Sequence, residues 1–394
     1  MSLRYILFAS ILVVLLVSVH LLIYRRLIRD VQPRKALLRV GAVFLALMCA
    51  GTLGGIVFSR FFGGGETTAF VTYTWFGVVS LALMVLLPIE VGRLLFRIVR
   101  RLRGKRGDEG LPDPQRRLAL TRGAATVTAL GVGGAAAAGV STALSPPRLQ
   151  RITVPIDNLP PAFEGFTIAQ VSDIHVGPTI KGDFIRDLVS RINALNVDMV
   201  AITGDLVDGS VSQLGEHVAP LGELKSAHGT FFCTGNHEYY SGVTSWMRFL
   251  TSLGIEVLGN RRMEITRDGA ALDVIGVHDW MSRGPGHGHD LAGAIAGRDA
   301  SRPSILLAHQ PRAIHDATDK GMSLVLSGHT HGGQLWPFRF IVGLVQPYVQ
   351  GLHKHRDKTW IYVHPGTGYW GPPMRVGVPA EIAVITLTAG QKVG

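Results

Sequence analysis

Gly328-His329-Thr330-His331-Gly332-Gly333 stands one residue beyond the apolar run Leu324-Val325-Leu326. A short apolar run bounded by glycines reads as a buried strand that ends in a turn. The two histidines of this turn carry imidazole nitrogens to the strand's C-terminal end. Further back along the chain the same arrangement recurs. His309 follows Ile305–Ala308, and Gly235-Asn236-His237-Glu238 follows the strand-like Gly229–Thr234. Gly204-Asp205-Leu206-Val207-Asp208 follows Met199–Thr203, and Asp173-Ile174-His175 lies just beyond Phe166–Val171. Helix-like segments at Phe184–Leu195 and Trp246–Leu253 separate some of these runs. Further strand-like runs lie at Ile255–Leu258, Leu272–Val277, Trp360–Val363 and Ile382–Thr388. The alternation predicts an α/β domain over residues 146–394. Ligand sites of α/β sheets lie at strand C-termini, so these polar clusters are expected to converge on one crevice.

Singly, each cluster has a bland reading, since Gly-Asp at a strand end is commonly a turn. Together they offer hard carboxylate oxygen, amide oxygen and imidazole nitrogen, with no thiolate. That donor set suits Mn, Fe, Zn or Co and excludes copper–thiolate and iron–sulfur chemistry. Its size exceeds the needs of one ion and fits a pair with one bridging carboxylate. Gly286-His287-Gly288-His289 and His353-Lys354-His355 lack a preceding strand run and read as solvated loops, with metal binding as the lesser reading. Cys49 and Cys233, the only two cysteines, cannot build a disulfide framework.

At these residues the chain resembles the calcineurin-like metallophosphoesterase superfamily, over roughly residues 150–390. The tail Gly366-Thr367-Gly368-Tyr369-Trp370-Gly371-Pro372-Pro373-Met374-Arg375 is similar to the bacterial membrane-associated branch of phosphodiesterases and UDP-diacylglucosamine pyrophosphatase relatives. The resemblance implies a four-layer α-β-β-α sandwich, two mixed sheets flanked by helices. It implies two divalent ions: Asp173, His175 and His331 would hold one, Asp205 would bridge, and Asn236, His309 and His329 would complete the second. His237 would be the general acid facing the leaving group, oriented by Asp208, in a hydrolysis of phosphate esters by metal-activated hydroxide. Two positions depart from the pattern. Gly209 stands where the protein-phosphatase branch carries Arg, which speaks against phosphoprotein substrates. His278 stands where an acidic residue is expected, next to Asp279.

The rest of the chain is of another kind. The protein has 394 residues, is 47% hydrophobic and 17% charged, and has a net charge of +11. Its mean hydropathy is +0.28. This excludes intrinsic disorder. The charge is uneven: residues 1–145 hold 18 Lys+Arg and 6 Asp+Glu, whereas residues 146–394 hold 21 and 22. The basic excess therefore sits outside the domain with the chemistry, against a nucleic-acid partner. It flanks uncharged runs at 5–24, 40–58 and 69–87, each long enough to cross a hydrocarbon core of roughly 30 Å. A softer run, 124–144, is rich in Ala and Gly. Basic residues crowd the first connection (Arg25, Arg26, Arg29, Arg34, Lys35, Arg39) and the third (Arg93 through Arg122), and not the second. The positive-inside rule then places the first and third in the cytoplasm and the catalytic domain outside it, in a multi-pass membrane protein. Gln115-Arg116-Arg117-Leu118-Ala119-Leu120 offers a second reading, an internal twin-arginine export signal with the same outcome. A third reading, a buried soluble helix at 124–144, would leave the domain inside. His20 is expected at the membrane interface. The spans lack central charge, which favours an anchor over a transporter.

A membrane anchor favours a substrate at the bilayer, a phospholipid headgroup or a lipid-linked pyrophosphate. A UDP-linked lipid is cytoplasmic and conflicts with the outward topology, so only one of the two holds. Trp336, Pro337, Phe338 and Phe340 have two readings, an apolar lip for an acyl chain or packing of the domain. The alternatives in function are a phosphomonoesterase and a non-catalytic membrane metal sensor. No protein partner is indicated, and no Walker or Gly-x-Ser-x-Gly motif is present.

Overall fold

Strand residues of period two that are apolar on both faces need cover on both faces, and the C-terminal part of the chain solves this with two stacked sheets. The computed structural model describes residues 3–31, 34–61, 65–103, 113–282 and 286–390. Lys105 and Arg106 of the third basic connection lie outside the described residues, as do 391–394. The chain divides into two compact units, Met1–Ser141 with Pro372–Met374, and Thr142–Gly371 with Arg375–Gly394.

The first unit is helical. Helix α1 (Leu3–Ile23) runs into a π-helical turn, Tyr24–Arg29, and is followed by α2 (Lys35–Phe61), α3 (Glu66–Leu102) and α4 (Pro114–Leu144). Among the described residues, Lys35–Gly55, Glu66–Leu102 and Gln115–Leu144 are long and apolar enough to cross a membrane. Helix α3, with 37 residues, is about 55 Å long, far more than the expected span 69–87. Its surplus carries the exposed arginines Arg97 and Arg101. Glu90 Oε2 accepts from Arg26 at 2.5 Å and its Oε1 from Arg93 at 2.9 Å, tying α3 to the π-helical turn. His20 is buried among the helices, where Trp75 Nε1 donates to its Nε2 at 3.0 Å. The pairing satisfies the indole N–H of a half-buried ring.

In the second unit β1 (Arg148–Ile156), β2 (Thr167–Val171), α5 (Gly182–Asn193), β3 (Met199–Thr203), α6 (Val211–Val218) and β4 (Thr230–Cys233) come first. They are followed by α7 (Asn236–Ser241), α8 (Val243–Ser252), β5 (Glu256–Val257), β6 (Arg261–Arg267), β7 (Ala270–Gly276) and α9 (Leu291–Ala294). Last come β8 (Ser304–Leu307), α10 (Ile314–Asp319), β9 (Leu324–Ser327), α11 (Arg339–Val342), β10 (Gly351–His355), β11 (Thr359–Val363) and β12 (Glu381–Ala389). One sheet has the order β1-β12-β2-β3-β4-β5, the other β10-β11-β9-β8-β7-β6. Strands β2 to β5 are parallel, as are β7, β8, β9 and β11. Antiparallel partners make both sheets mixed. His353 and His355 therefore belong to an edge strand, not a solvated loop.

Side chains sort by pleat. Ile168, Met199, Phe231, Val274, Ile305 and Leu324 fill the space between the sheets. Val171, Val200 and Phe232 face α5, α6 and α8, with Ile185, Leu188 and Trp246. Ile275, Leu306 and Val325 face α9 and α10. The result is the four-layer α-β-β-α sandwich. Polar side chains also enter the middle layer: Gln170 Nε2 donates to Thr203 Oγ1 (2.9 Å) and, across the sheets, to the Ser327 carbonyl (3.0 Å). Ser327 ends β9, directly before the His329 loop, so this bond joins the two sheets at the strand ends that carry the chemistry. Gln170→Ala removes both bonds, leaves the Ser327 carbonyl to the His364 amide alone (2.8 Å), and opens a cavity. It is expected to destabilise the domain by about 2–4 kcal/mol, read as a lower unfolding midpoint of the full chain.

Candidate metal centre

Every polar cluster singled out in the sequence leaves its strand at the same end of the sandwich. The β2 and β3 loops stay hydrogen-bonded past their strands: Asp173 N donates to the Gly204 carbonyl (3.0 Å), His175 N to that of Asp205 (3.1 Å), and Asp208 N to that of Val176 (2.9 Å). Asp173 and His175 are thereby held beside Asp205 and Asp208. On the other sheet, Gly328 N bonds the His309 carbonyl at 2.9 Å. Asp173, His175, Asp205, His329 and His331 all have positive φ, between 49° and 71°, a conformation that costs non-glycine residues about 1 kcal/mol or more. Gly235 and Gly328 are required by closeness. A Cβ on Gly235 would lie 2.2 Å from Asp205 Oδ1 and 2.4 Å from its backbone N; one on Gly328 would lie 2.2 Å from Asp173 Oδ2.

Two acid–imidazole groups result. In Asp173, His175 and His331, and again in Asp205, His309 and His329, one ligand atom per residue lies within 4.8 Å of the others. His175 Nε2 and His331 Nε2 are 3.1 Å apart, and His329 Nδ1 is 3.2 Å from His309 Nε2. His309 Nδ1 donates to the Thr203 carbonyl at 2.8 Å and its Nε2 lies 3.0 Å from Asp205 Oδ2; burial weighs against the imidazolium, yet Asp205 lifts it well above its ordinary value. Imidazoles and carboxylates converging in this way fit a shared cation. Asn236 Oδ1 is buried without a hydrogen-bond partner among the described residues, as a neutral oxygen ligand is before it binds. The residues present thus suit divalent ions.

The charges divide over the site. Burial and the repulsion of the nearby imidazoles hold His329 down at about 3, and burial with His175 holds His331 well below its ordinary value. Both are neutral, the form that binds a metal. Burial opposes ionisation of Asp205, but the imidazoles of His309, His237 and His175 overcome it and hold the carboxyl well below its usual range. Asp173 shifts the other way, raised by burial and the Asp205 charge.

His237 and Asp208 form the third group. Asp208 Oδ1 is 2.5 Å from His237 Nδ1, and its Oδ2 is 3.2 Å from His175 Nδ1. One carboxylate thus fixes both rings, where the sequence suggested only one. The His237 backbone amide donates to Asp205 Oδ1 (2.9 Å). Burial weighs against the imidazolium, yet Asp205 and Asp208 lift His237 to about 9. Tyr240 and Trp370, both exposed, meet its ring edge-on with centroids 5.3 and 5.7 Å away.

Several supporting groups were not foreseen. The buried Glu238 carboxylate accepts the backbone amides of Asp205 (3.1 Å), Leu206 (2.8 Å) and Gly235 (2.6 Å). Its place three residues after Gly235 is the capping-box spacing and was the available signal. The tail loop braces the Asp173 turn: Thr367 N donates to the Ser172 carbonyl (2.7 Å) and Gly368 N to that of Asp173 (3.1 Å). Buried Arg375 reaches the Gly368 carbonyl through Nε at 2.8 Å. The two departures now have places. The Gly209 carbonyl accepts from Trp246 Nε1 at 2.9 Å. His278 Nδ1 lies 2.9 Å from the Tyr239 hydroxyl, and Asp279 accepts from Gln310 Nε2 at 3.1 Å. Both are braces beside the centre. His289 is not solvated as its loop suggested; its ring packs 4.8 Å from that of Trp280 and Nε2 lies 3.5 Å from Asp316. Trp336, Phe338 and Phe340 do not pack the domain: they are exposed.

A family model described as calcineurin-like phosphoesterase matches residues 166–333. A transmembrane protein with metallophosphoesterase domain from Danio rerio is 42% identical over 258 residues, covering 63% of this chain and 59% of its own length. A metallophosphoesterase of Aquifex aeolicus is 34% identical over 244 residues, 61% of this chain and 91% of its own. Thus the chain spans less than two thirds of the Danio rerio relative. Among solved structures, Haemophilus influenzae NAD nucleotidase is 16% identical with a TM-score of 0.37, over 52% of this chain and 51% of that one.

Glu238→Gln replaces an acceptor with an amide that faces a backbone N–H. It is expected to lower divalent-metal affinity by about 10–100-fold, measured by competition with a fluorescent chelator; unchanged affinity would mean that the Asp205 loop holds itself.

Proposed function

The chain belongs to the calcineurin-like phosphoesterase family, and on that premise we propose that it hydrolyses phosphodiester or pyrophosphate bonds of a lipid-related substrate. The observation that carries the reading is the convergence of Asp173, His175 and His331 with Asp205, His309 and His329 beside an imidazole oriented for proton donation. In this proposal those residues, with Asn236, would hold two divalent ions, and Asp205 would serve both. Such ions, when bound, neutralise phosphoryl oxygens and make hydroxide available near neutral pH.

The chain's own residues do the rest. Asp208 accepts a hydrogen bond from Nδ1–H of His237, which turns Nε2 toward the crevice and stabilises the imidazolium. His237 thus keeps a proton at Nε2 to give to the departing alkoxide. Its backbone amide, bonded to Asp205, fixes the distance between donor and centre. Tyr240 and Trp370 flank the ring and limit water on that side. The membrane part of the reading rests on the helices long enough to cross a bilayer. In this proposal the protein is multi-pass, with the catalytic unit outside the cytoplasm, as the basic connections indicate.

The test uses purified full-length protein, stripped and reloaded with Mn²⁺, on a chromogenic phosphodiester and the matching monoester. Metal-dependent diester cleavage that falls about 10²–10⁴-fold in His237→Ala is expected. Preference for the monoester would make the protein a phosphatase and remove the diester reading. Bound metal with no turnover of either would favour a sensor. The pH profile is a second check. A raised pKa keeps the donor protonated at neutral pH and loses it as pH rises through about 9. Asp208→Asn removes the anion that sustains it, so the alkaline limb of kcat is expected to move to lower pH. A limb that stays in place belongs to another group.

A further inference from the structure

Between Leu335 and Gln346, both buried, the chain makes an outward excursion that the core does not use. Leu335 is pinned to Val376 by a β-bridge, and Trp336 N donates to the Val376 carbonyl at 3.0 Å. What lies between is turned to the outside: Trp336, Phe338, Phe340, Ile341, Leu344 and Val345 are all exposed, Phe340 by 66% and Leu344 by 84%. Scattered apolar residues on a surface are ordinary, but a contiguous run of this size is not. The run contains no acidic residue; its one charge is Arg339, and Arg312 reaches in to the Val345 carbonyl at 3.4 Å. Tryptophan and phenylalanine with aliphatic neighbours and basic partners make up the composition of segments that lie in the headgroup region of a bilayer.

We propose that residues 336–345 are a membrane-insertion element, which dips its aromatic and aliphatic side chains into a lipid interface and sets the mouth of the catalytic crevice on the bilayer surface. The occupant is lipid rather than a second protein surface for two reasons: the same chain carries helices long enough to cross a bilayer, and the segment's basic charge complements anionic headgroups. The element is wired to the site. Gln334, two residues before Trp336, exchanges two hydrogen bonds with the Trp370 backbone, Nε2 to the carbonyl at 2.9 Å and Oε1 from the amide at 3.0 Å. Trp370 in turn stands against His237. His331 lies three residues before Gln334. An ester presented at the lipid surface therefore meets the imidazole and the metal-binding histidines from the side on which the element inserts. This inference extends the lipid-related reading above, and its test needs no turnover, so the two can fail separately.

The experiment reconstitutes the full chain in phosphatidylcholine–phosphatidylglycerol vesicles, with a nitrobenzoxadiazole fluorophore on Leu344→Cys or, as control, on Lys225→Cys. Cys49 and Cys233 are buried and do not compete for the label. Lys225 is exposed and precedes β4, at the end of the sheet away from the site. The proposal expects the label at 344 to emit to the blue, to lose at least half of its emission to acyl-chain nitroxide lipids, and to be shielded from aqueous iodide. The control is expected to do the reverse. Quenching at 344 by iodide and not by nitroxide would overturn the proposal. So would shielding from both quenchers, which would mean that protein, a second copy or another partner, covers the segment. A label on Phe340→Cys repeats the reading at an independent position.

Discussion

Asp205 sits at the end of β3 almost wholly out of water, with His309 Nε2 3.0 Å from one carboxylate oxygen and the His237 amide 2.9 Å from the other. A charge so placed must be compensated within the protein, and much of the domain is arranged to supply that compensation. Imidazoles arrive from the ends of β8 and β9 on the opposite sheet. The Glu238 carboxylate gathers the amides around the turn, and Gly235 lets the β4 loop approach within a distance that any side chain would forbid. Two sheets are needed because the donors come from both. Gln170, reaching from β2 to Ser327, joins them where this matters most.

The same arrangement explains why strain is concentrated here. Functional residues with left-handed backbones occur in both sheets' loops, and each costs stability that the apolar layers offset. Ile168, Met199, Ile305 and Leu324 meet between the sheets, and burying each side chain is worth about 1.5–3 kcal/mol. A rigid frame is therefore a precondition for holding like-charged and lone-pair groups at 3 Å from one another. The frame also sets the proton chemistry: His237 keeps its proton only because two carboxylates stand close enough to outweigh its burial.

The buried strands β2, β3, β4, β8 and β9 were legible because strands covered on both faces are continuous apolar runs, and the polar residues that follow them stand out. Each of the nine residues singled out for the site is found at that end of the sandwich. What was missed shares a physical cause. Strands β1, β6 and β10 lie at sheet edges, where half the side chains meet water, so their sequences carry Arg, Gln, Glu, Lys and His and hide the strand pattern. Glu238 was quoted within its motif but given no task, since a carboxylate that binds backbone amides leaves no trace in composition. The sequence left open whether Trp336, Phe338 and Phe340 are exposed, because an apolar run reads the same whether it faces a core or the outside.

The most direct measurement is the low-temperature electron paramagnetic resonance spectrum of the full chain, stripped and reloaded with Mn²⁺, together with its metal content. If Asp205 is shared between two ions held by the two groups of ligands, the protein binds two per chain and the spectrum is that of an exchange-coupled pair. A single ion per chain, or two with the spectrum of isolated Mn²⁺, would contradict the account.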